Sequence, residues 1–349
     1  MQLKHVLSAS ALALSLSLIG GFAAAPAAKA EMAKEPDTLT IAWLPNDSSD
    51  ALASMRDEIA KAISKATGKK VESKLTTDYA IAIAALENGQ AQIGWFGPNE
   101  YLTSHARDPK VIPLVVNTGP SGTLKDSLYY SRFVVLKKNA VKYQKDGVFG
   151  IDNIAGKRIS FVSTNSTSGF NMPAAAILGQ FTKEAKWSKL TKEDLTQGGS
   201  NKFFKQVMFG GSHQLSLVNV LTGRSDVSAV CDFLVTAYVD LLSGKDNTAG
   251  AVYAVKKDAG APFAAVRGKE FVIIKSIPVL NPPVEVNSAY LSEKTMKQIS
   301  DALTSDEVAN NPKIFAPTTS KSSEFTRPAR FVKVTDSWYD PMRAGLGIK

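Results

Sequence analysis

Apolar and polar positions alternate along this chain with two periods, one of two residues and one of three to four. Residues 38–44 (Thr-Leu-Thr-Ile-Ala-Trp-Leu) read as a strand stopped by Pro45. The polar stretch Asn46-Asp47-Ser48-Ser49-Asp50 offers helix caps, and Leu52, Met55, Ile59 and Ile63 then recur at helical spacing up to Gly68. Residues 70–75 form a second predicted strand, followed by Thr76-Thr77-Asp78 capping a helix through Ile81, Ile83 and Leu86 that stops at Asn88-Gly89. Residues 92–96 form a third, broken by Gly97-Pro98. The grammar repeats after Ser131. Strands are predicted at 132–136, 158–162, 203–209, 226–230 and 271–277, with helices after Asn171 and from Gly210-Gly211-Ser212-His213 to about Gly223; Pro278, Pro282 and Pro283 then mark a break. Strands alternating with helices imply parallel sheet and an α/β class, and two such units with crossovers suggest two lobes around a cleft. In open α/β sheets a ligand lies beyond the carboxyl ends of the strands, where the polar clusters of this chain fall.

One of those clusters is built for chemistry. Ser163-Thr164-Asn165-Ser166-Thr167-Ser168-Gly169-Phe170 joins a predicted strand to a predicted helix. The first N–H groups of a helix have no partner within it, the helix dipole adds partial positive charge, and hydroxyls add uncharged donors, so an oxyanion fits such a turn. The plainer reading is an N-cap turn with extra serines. Ser166, His213 and Asp232 also contain the ingredients of a Ser-His-Asp hydrolase, although no G-x-S-x-G elbow is present.

The N-terminus changes the compartment. Lys4, the apolar run 7–22 and Ala28-Lys29-Ala30 read as a secretory signal peptide over residues 1–30, too short and too rich in Ala and Ser for a comfortable span. No Cys lies near the cleavage site to carry a lipid, so the expectation is a protein released into a periplasm. The single Cys, Cys231, excludes an internal disulfide and reads as a small buried residue of a strand. The 41 Lys and Arg against 32 Asp and Glu give a formal net charge of +9, of which Lys4 and Lys29 leave with the signal. The excess is spread out rather than gathered into a basic stripe, which argues against nucleic acid and for a general attraction of anions. The three histidines, His5, His105 and His213, form no metal motif, and no cofactor is expected.

Four segments together resemble the phosphonate/phosphite/phosphate-binding proteins of bacterial ABC importers, which are type II periplasmic binding proteins. They are Asp78-Tyr79-Ala80; Gly94-Trp95-Phe96-Gly97-Pro98; Asn165-Ser166-Thr167-Ser168-Gly169-Phe170 with Pro173; and Gly211-Ser212-His213-Gln214 with Gly223-Arg224-Ser225-Asp226-Val227 and Asp232. The resemblance implies a two-lobed α/β fold with the ligand in the interlobe cleft: lobe 1 from 31–130 plus 286–349, lobe 2 from 131–285. It implies an oxyanion gripped by Ser166, Thr167 and Ser168, with His213, Asp232, Tyr79 and a hydroxyl from Ser131, and with Phe96 at the place where some members carry Tyr. Asn99 and Tyr101 are then candidate replacements for that missing phenol. Gln214 stands where other members carry Glu. Asp232 would suit a P–OH hydrogen, and Trp95 with Phe96 an apolar P–H or P–C group. The implied function is capture of a small phosphorus oxyanion by a monomer and its delivery to a membrane permease, with no reaction catalysed. The alternatives are a periplasmic sensor of oxyanions, arsenic included, that signals to a kinase and would use Cys231 for arsenite, and the Ser-His-Asp hydrolase.

Overall fold

A computed structural model describes residues 34–48, 52–317, 325–326 and 328–348. The expected signal peptide and its cleavage site lie outside the described residues, as do Ser49 and Asp50 of the first capping stretch. In chain order the strands are β1 (Thr38–Trp43), β2 (Lys70–Leu75), β3 (Ile93–Trp95), β4 (Val111–Asn117), β5 (Leu128–Leu136), the hairpin β6 (Gln144–Lys145) and β7 (Val148–Phe149), β8 (Arg158–Phe161), β9 (Gln206–Phe209), β10 (Val227–Cys231), β11 (Val239–Ser243), β12 (Val252–Val255), β13 (Glu270–Leu280), β14 (Pro283–Asn287), β15 (Phe315–Ala316), β16 (Phe325–Thr326) and β17 (Phe331–Lys333). The helices are α1 (Ala53–Thr67), α2 (Tyr79–Glu87), α3 (Pro98–Arg107), α4 (Met172–Phe181), α5 (His213–Leu221), α6 (Phe233–Thr236), α7 (Glu293–Leu303), α8 (Asp306–Ala309) and α9 (Asp340–Leu346).

Two larger sheets result. The first has the order β17-β4-β14-β3-β1-β2, the second β11-β12-β13-β5-β10-β8-β9. The chain passes from the first to the second between β4 and β5 and returns between β13 and β14. Each sheet is mixed, which corrects the expectation of parallel sheet. β1 pairs in parallel with β2 and β3, and β8 with β9 and β10, because helical crossovers join them. β14 runs antiparallel between β3 and β4, and β5 antiparallel between β10 and β13, because these strands arrive from the opposite sheet rather than through a local crossover.

The local signals explain most elements. Met55, Ile59 and Ile63 form the buried stripe of α1, which closes on Gly68 at φ 71°. Its N-terminal flank is Leu52, without a side-chain cap, rather than the polar stretch before it. Asp78 caps α2 through the Ala80 N–H at 2.7 Å. Three readings are corrected. β13 runs through Pro278, opposite Tyr130, to Leu280; beyond its pairing with β12, which covers residues 270–272, it has a strand on one side only, where a missing N–H is tolerated. The strand expected at 203–209 is confined to β9, since Phe203 and Phe204 are buried in a core cluster instead of a ladder. Gly97-Pro98 starts α3 as well as ending β3, with Pro98 in the first turn where its absent N–H costs nothing.

Apolar side chains from both faces of each sheet fill the core. Ile159 of β8 is fully buried in the cluster with Phe161, Phe170, Ile177 and Ala229. Ile159→Ala is expected to lower the unfolding free energy by about 2–5 kcal/mol, read as a lower urea midpoint at unchanged slope.

Candidate functional site

The turn after β8 is held in an open shape by its own side chains. Residues Thr167–Asn171 form one π-helical turn ahead of α4, a wider coil than α that spreads the leading N–H groups. Ser166 Oγ accepts the Gly169 N–H at 3.1 Å. The Asn171 amide donates to the carbonyls of Thr164, Asn165 and Ser166 at 3.0–3.2 Å, so one side chain gathers three successive backbone acceptors. Gly169 is required by close approach: a Cβ there would lie 2.4 Å from Val162. Ser131 Oγ donates to the Ser168 carbonyl at 2.7 Å from β5 below.

A second helix start faces this turn. Ser212 caps α5 by accepting the Leu215 N–H at 3.2 Å, which places His213 in the first turn, 3% exposed. The His213 Nδ1 lies 2.8 Å from the Cys231 N–H and accepts from it, so the ring's hydrogen is on Nε2. Burial pushes the imidazole pKa down to about 3, and His213 is a neutral donor at physiological pH. Its backbone N–H donates to Asn46 Oδ1 at 3.0 Å, and the Asn46 amide donates to the Tyr79 phenol at 2.5 Å. Burial raises the Tyr79 pKa well above the ordinary value.

The third contribution comes from α3. The Thr167 hydroxyl donates to Glu100 Oε2 at 2.5 Å and accepts the Asn99 N–H at 2.8 Å. Glu100 is 1% exposed, and burial pushes its carboxyl up to about 7 against the hydrogen bonds that oppose the rise. Gly97 has no side chain for a steric reason. A Cβ would come within 2.5 Å of Glu100 Oε2 and 2.6 Å of Thr167 Oγ1.

These three elements contribute to a cavity whose space for the centre of a water molecule is about 40 Å³. Of the residues singled out in the sequence, Tyr79, Phe96, Ser166, Thr167, Ser168 and His213 line it, with Trp95 completing the expected apolar wall. Ser131 is placed one layer behind, under Ser168. Asp232 is placed outside the cavity: Oδ1 accepts the Tyr130 N–H at 3.0 Å, Oδ2 accepts the Asn247 amide at 3.2 Å, and the residue lines an adjoining hollow with Trp95, Tyr129, Phe233 and Pro282. The carboxyl inside the cavity is Glu100.

Sequence reasoning missed Glu100, Tyr129 and Asn46, all of which line the cavity. A Glu two residues after a helix-starting Pro reads as a surface residue facing the dipole, and only the packing of α3 on the Thr167 turn buries it. Neither proposed replacement for the absent phenol serves as one. The Tyr101 hydroxyl donates to Asp336, and the Asn99 amide donates to the Asn165 carbonyl at 3.0 Å. The Gln214 amide donates to the carbonyls of Asn46 and Leu234, at 3.3 and 3.1 Å, which a carboxylate could not do. The Ser-His-Asp geometry is not assembled, since Nδ1 of His213 is occupied by a backbone N–H and the Asp232 oxygens lie elsewhere. Among the described residues no cluster of His, Cys, Asp and Glu could hold a metal, and no Lys or Arg lines the cavity.

A family model described as "ABC transporter, phosphonate, periplasmic substrate-binding protein" matches residues 41–339. The chain belongs to this family. It is a family of solute-binding proteins rather than enzymes, and the hydrolase alternative falls. The chain is 26% identical to the Phosphate-import protein PhnD of Mycolicibacterium smegmatis over 66% of each chain. It is 25% identical to the Probable ABC transporter phosphite binding protein PhnD1 of Prochlorococcus marinus over 56% of this chain and 58% of that one. The match thus spans less than two thirds of these relatives. Two solved structures share the fold. A binding protein component of an ABC phosphonate transporter from Pseudomonas aeruginosa gives a TM-score of 0.63 at 17% identity, covering 89% of this chain and 86% of that one. PhnD1 from Prochlorococcus marinus in complex with methylphosphonate gives 0.59 at 17% identity, covering 88% and 97%. The two mixed sheets are those of the type II periplasmic-binding-protein fold. Among the described residues no helix is long and apolar enough to cross a membrane.

Two expectations test this site in the purified protein. Asn171→Ala leaves three carbonyls without their shared donor and should lower stability by about 1–3 kcal/mol in urea denaturation. Glu100 has a folded pKa raised above its unfolded value, so its stabilising contribution is complete below about pH 4.5 and is lost as pH rises through about 7. Glu100→Gln should therefore raise the melting temperature, relative to the native protein, more at about pH 8 than at about pH 4.5.

Proposed function

We propose that this protein captures a small phosphorus oxyanion (phosphate, phosphite or a short phosphonate) and delivers it to the permease of an ABC importer. The observation that carries the reading is the cavity itself. It is small, it holds no Lys or Arg, and it gathers hydroxyls of Ser166, Thr167 and Ser168, the phenol of Tyr79 and a neutral His213. Uncharged donors satisfy an anion without leaving an unpaired cation buried when the site is empty. Trp95 and Phe96 supply a wall suited to a P–H or P–C group. The names of the relatives agree with this chemistry, one being a phosphate-import protein, one a probable phosphite-binding protein and one a complex with methylphosphonate.

The same reading gives the residues outside the cavity their roles. Ser131 supports the Ser168 carbonyl, and Asp232 meets the substituent on phosphorus from the adjoining hollow rather than the oxyanion. The two sheets form two lobes, roughly residues 31–130 with 286–349 and residues 131–285, that close on the ligand because it touches both. Residues 1–30 act as a cleaved signal that exports the chain to the periplasm, where it works as a monomer.

Calorimetry on the mature protein should show at least one of phosphate, phosphite and methylphosphonate binding about tenfold or more tightly than sulfate. His213→Ala should weaken that binding by at least about tenfold, since it leaves a buried hydrogen bond unmade. The absence of binding by all three anions would remove the assignment.

A further inference from the structure

Thr167 Oγ1 has one hydrogen to give and two lone pairs to fill. In the structure it gives the hydrogen to Glu100 at 2.5 Å and accepts the Asn99 N–H at 2.8 Å. A hydroxyl so engaged has nothing left for an anion, although Thr167 lines the cavity. If Glu100 carries a proton, the bond can reverse: the carboxyl donates to Thr167, both lone pairs are filled, and the hydroxyl hydrogen turns to the cavity. The charge follows the same logic. An ionised Glu100 would share a space of about 40 Å³ with an anion, in a cavity lined by no Lys or Arg.

We propose, on the reading that the cavity takes a phosphorus oxyanion, that Glu100 is the proton-linked gate of the site. The protein holds its ligand only with this carboxyl neutral, and above the titration of Glu100 it takes a proton from solvent as the ligand enters. Other groups nearby do not supply that proton. Tyr79 of α2 and Tyr129 of β5 are buried phenols held well above their ordinary range. His213 of α5 stays neutral, and Cys231 at the end of β10 also lines the cavity. Glu285 of β14 is a further buried carboxyl, and the charge of Glu100 helps to keep it neutral. It is 0% exposed, both its oxygens lack a hydrogen-bond partner, and burial raises its pKa well above the usual carboxylate range. A neutral Glu285 contributes no charge to the gate and does not change state on binding. The raised pKa of Glu100, about 7, puts the switch within reach of natural pH changes.

The test compares the native protein with Glu100→Gln, whose amide donates to Thr167 permanently. Dissociation constants for methylphosphonate are measured calorimetrically from about pH 6 to 9, and the ligand's own titration, common to both proteins, cancels in their ratio. The ratio of native to Gln constants is expected to be level below about pH 7 and to rise about tenfold per pH unit above it. Glu285→Gln is expected to keep the native pH dependence. Infrared difference spectra of the native protein alone give a second readout: at about pH 8.5, adding methylphosphonate should produce a protonated-carboxyl carbonyl band. A level ratio, or one that falls as pH rises because a carboxylate accepts the ligand's P–OH hydrogen, overturns the gate, as does the absence of the band on binding. If neither protein binds methylphosphonate, phosphite or phosphate at any pH, the oxyanion reading fails and the gate with it. Binding with an unmoved ratio removes the gate alone.

Discussion

Taking an anion out of water without a counter-ion is costly unless every oxygen meets a donor, and on the proposed function the loops of this protein are arranged around that requirement. The site uses helix starts, hydroxyls, a phenol and a neutral imidazole, none of which is a fixed charge. Such groups must be aimed, because their hydrogen bonds weaken steeply with angle in a way that the attraction of a cation does not. The structure spends its polar side chains on aiming. Asn171 gathers three carbonyls of the Ser/Thr turn, Ser131 holds a fourth, and the Cys231 N–H sets the tautomer of His213.

The aiming groups also join the two sheets. Asn46, at the end of β1, holds both the His213 N–H and the Tyr79 phenol, while Glu100 and Asn99 of α3 hold Thr167. The contacts to His213 and Thr167 join segments of the first sheet to helix starts of the second, and the Asn46–Tyr79 bond braces the first. The same hydrogen bonds that shape the cavity thereby fix the relation between its walls. A carboxyl at one of these junctions is a cost, since burial pushes it towards neutrality, and its proton becomes a variable that the rest of the site must share.

Much of this was legible along the chain, for reasons that differ by residue. The Ser/Thr turn and the Gly-Ser-His start carry local signals: caps, a glycine at a close approach and a strand-to-helix change of period, all governed by neighbours within a few residues. Six of the eight residues implied by the resemblance line one cavity, and four of them, Ser166, Thr167, Ser168 and His213, lie in these two segments. Asp232 shows the limit. It follows β10, as a site residue should, yet its oxygens are taken by Tyr130 and Asn247, partners 102 and 15 residues away. Glu100 shows the converse, a residue with a surface pattern that the packing of α3 buries.

The sequence by itself determined the α/β class, the family, the two helix starts and the uncharged character of the donors, because each depends on residue type and short-range periodicity. Tertiary structure alone decided that the sheets are mixed, that Asn46, Tyr129 and Glu100 line the cavity, and that Ser131 and Asp232 stand behind and beside it. The physical reason is that burial and hydrogen-bond partnership are properties of surfaces brought together from distant parts of the chain. Spacing along one strand or helix says which side chains can exist at a turn, and only the closing of one sheet's loops on the other's says which of them lose their water.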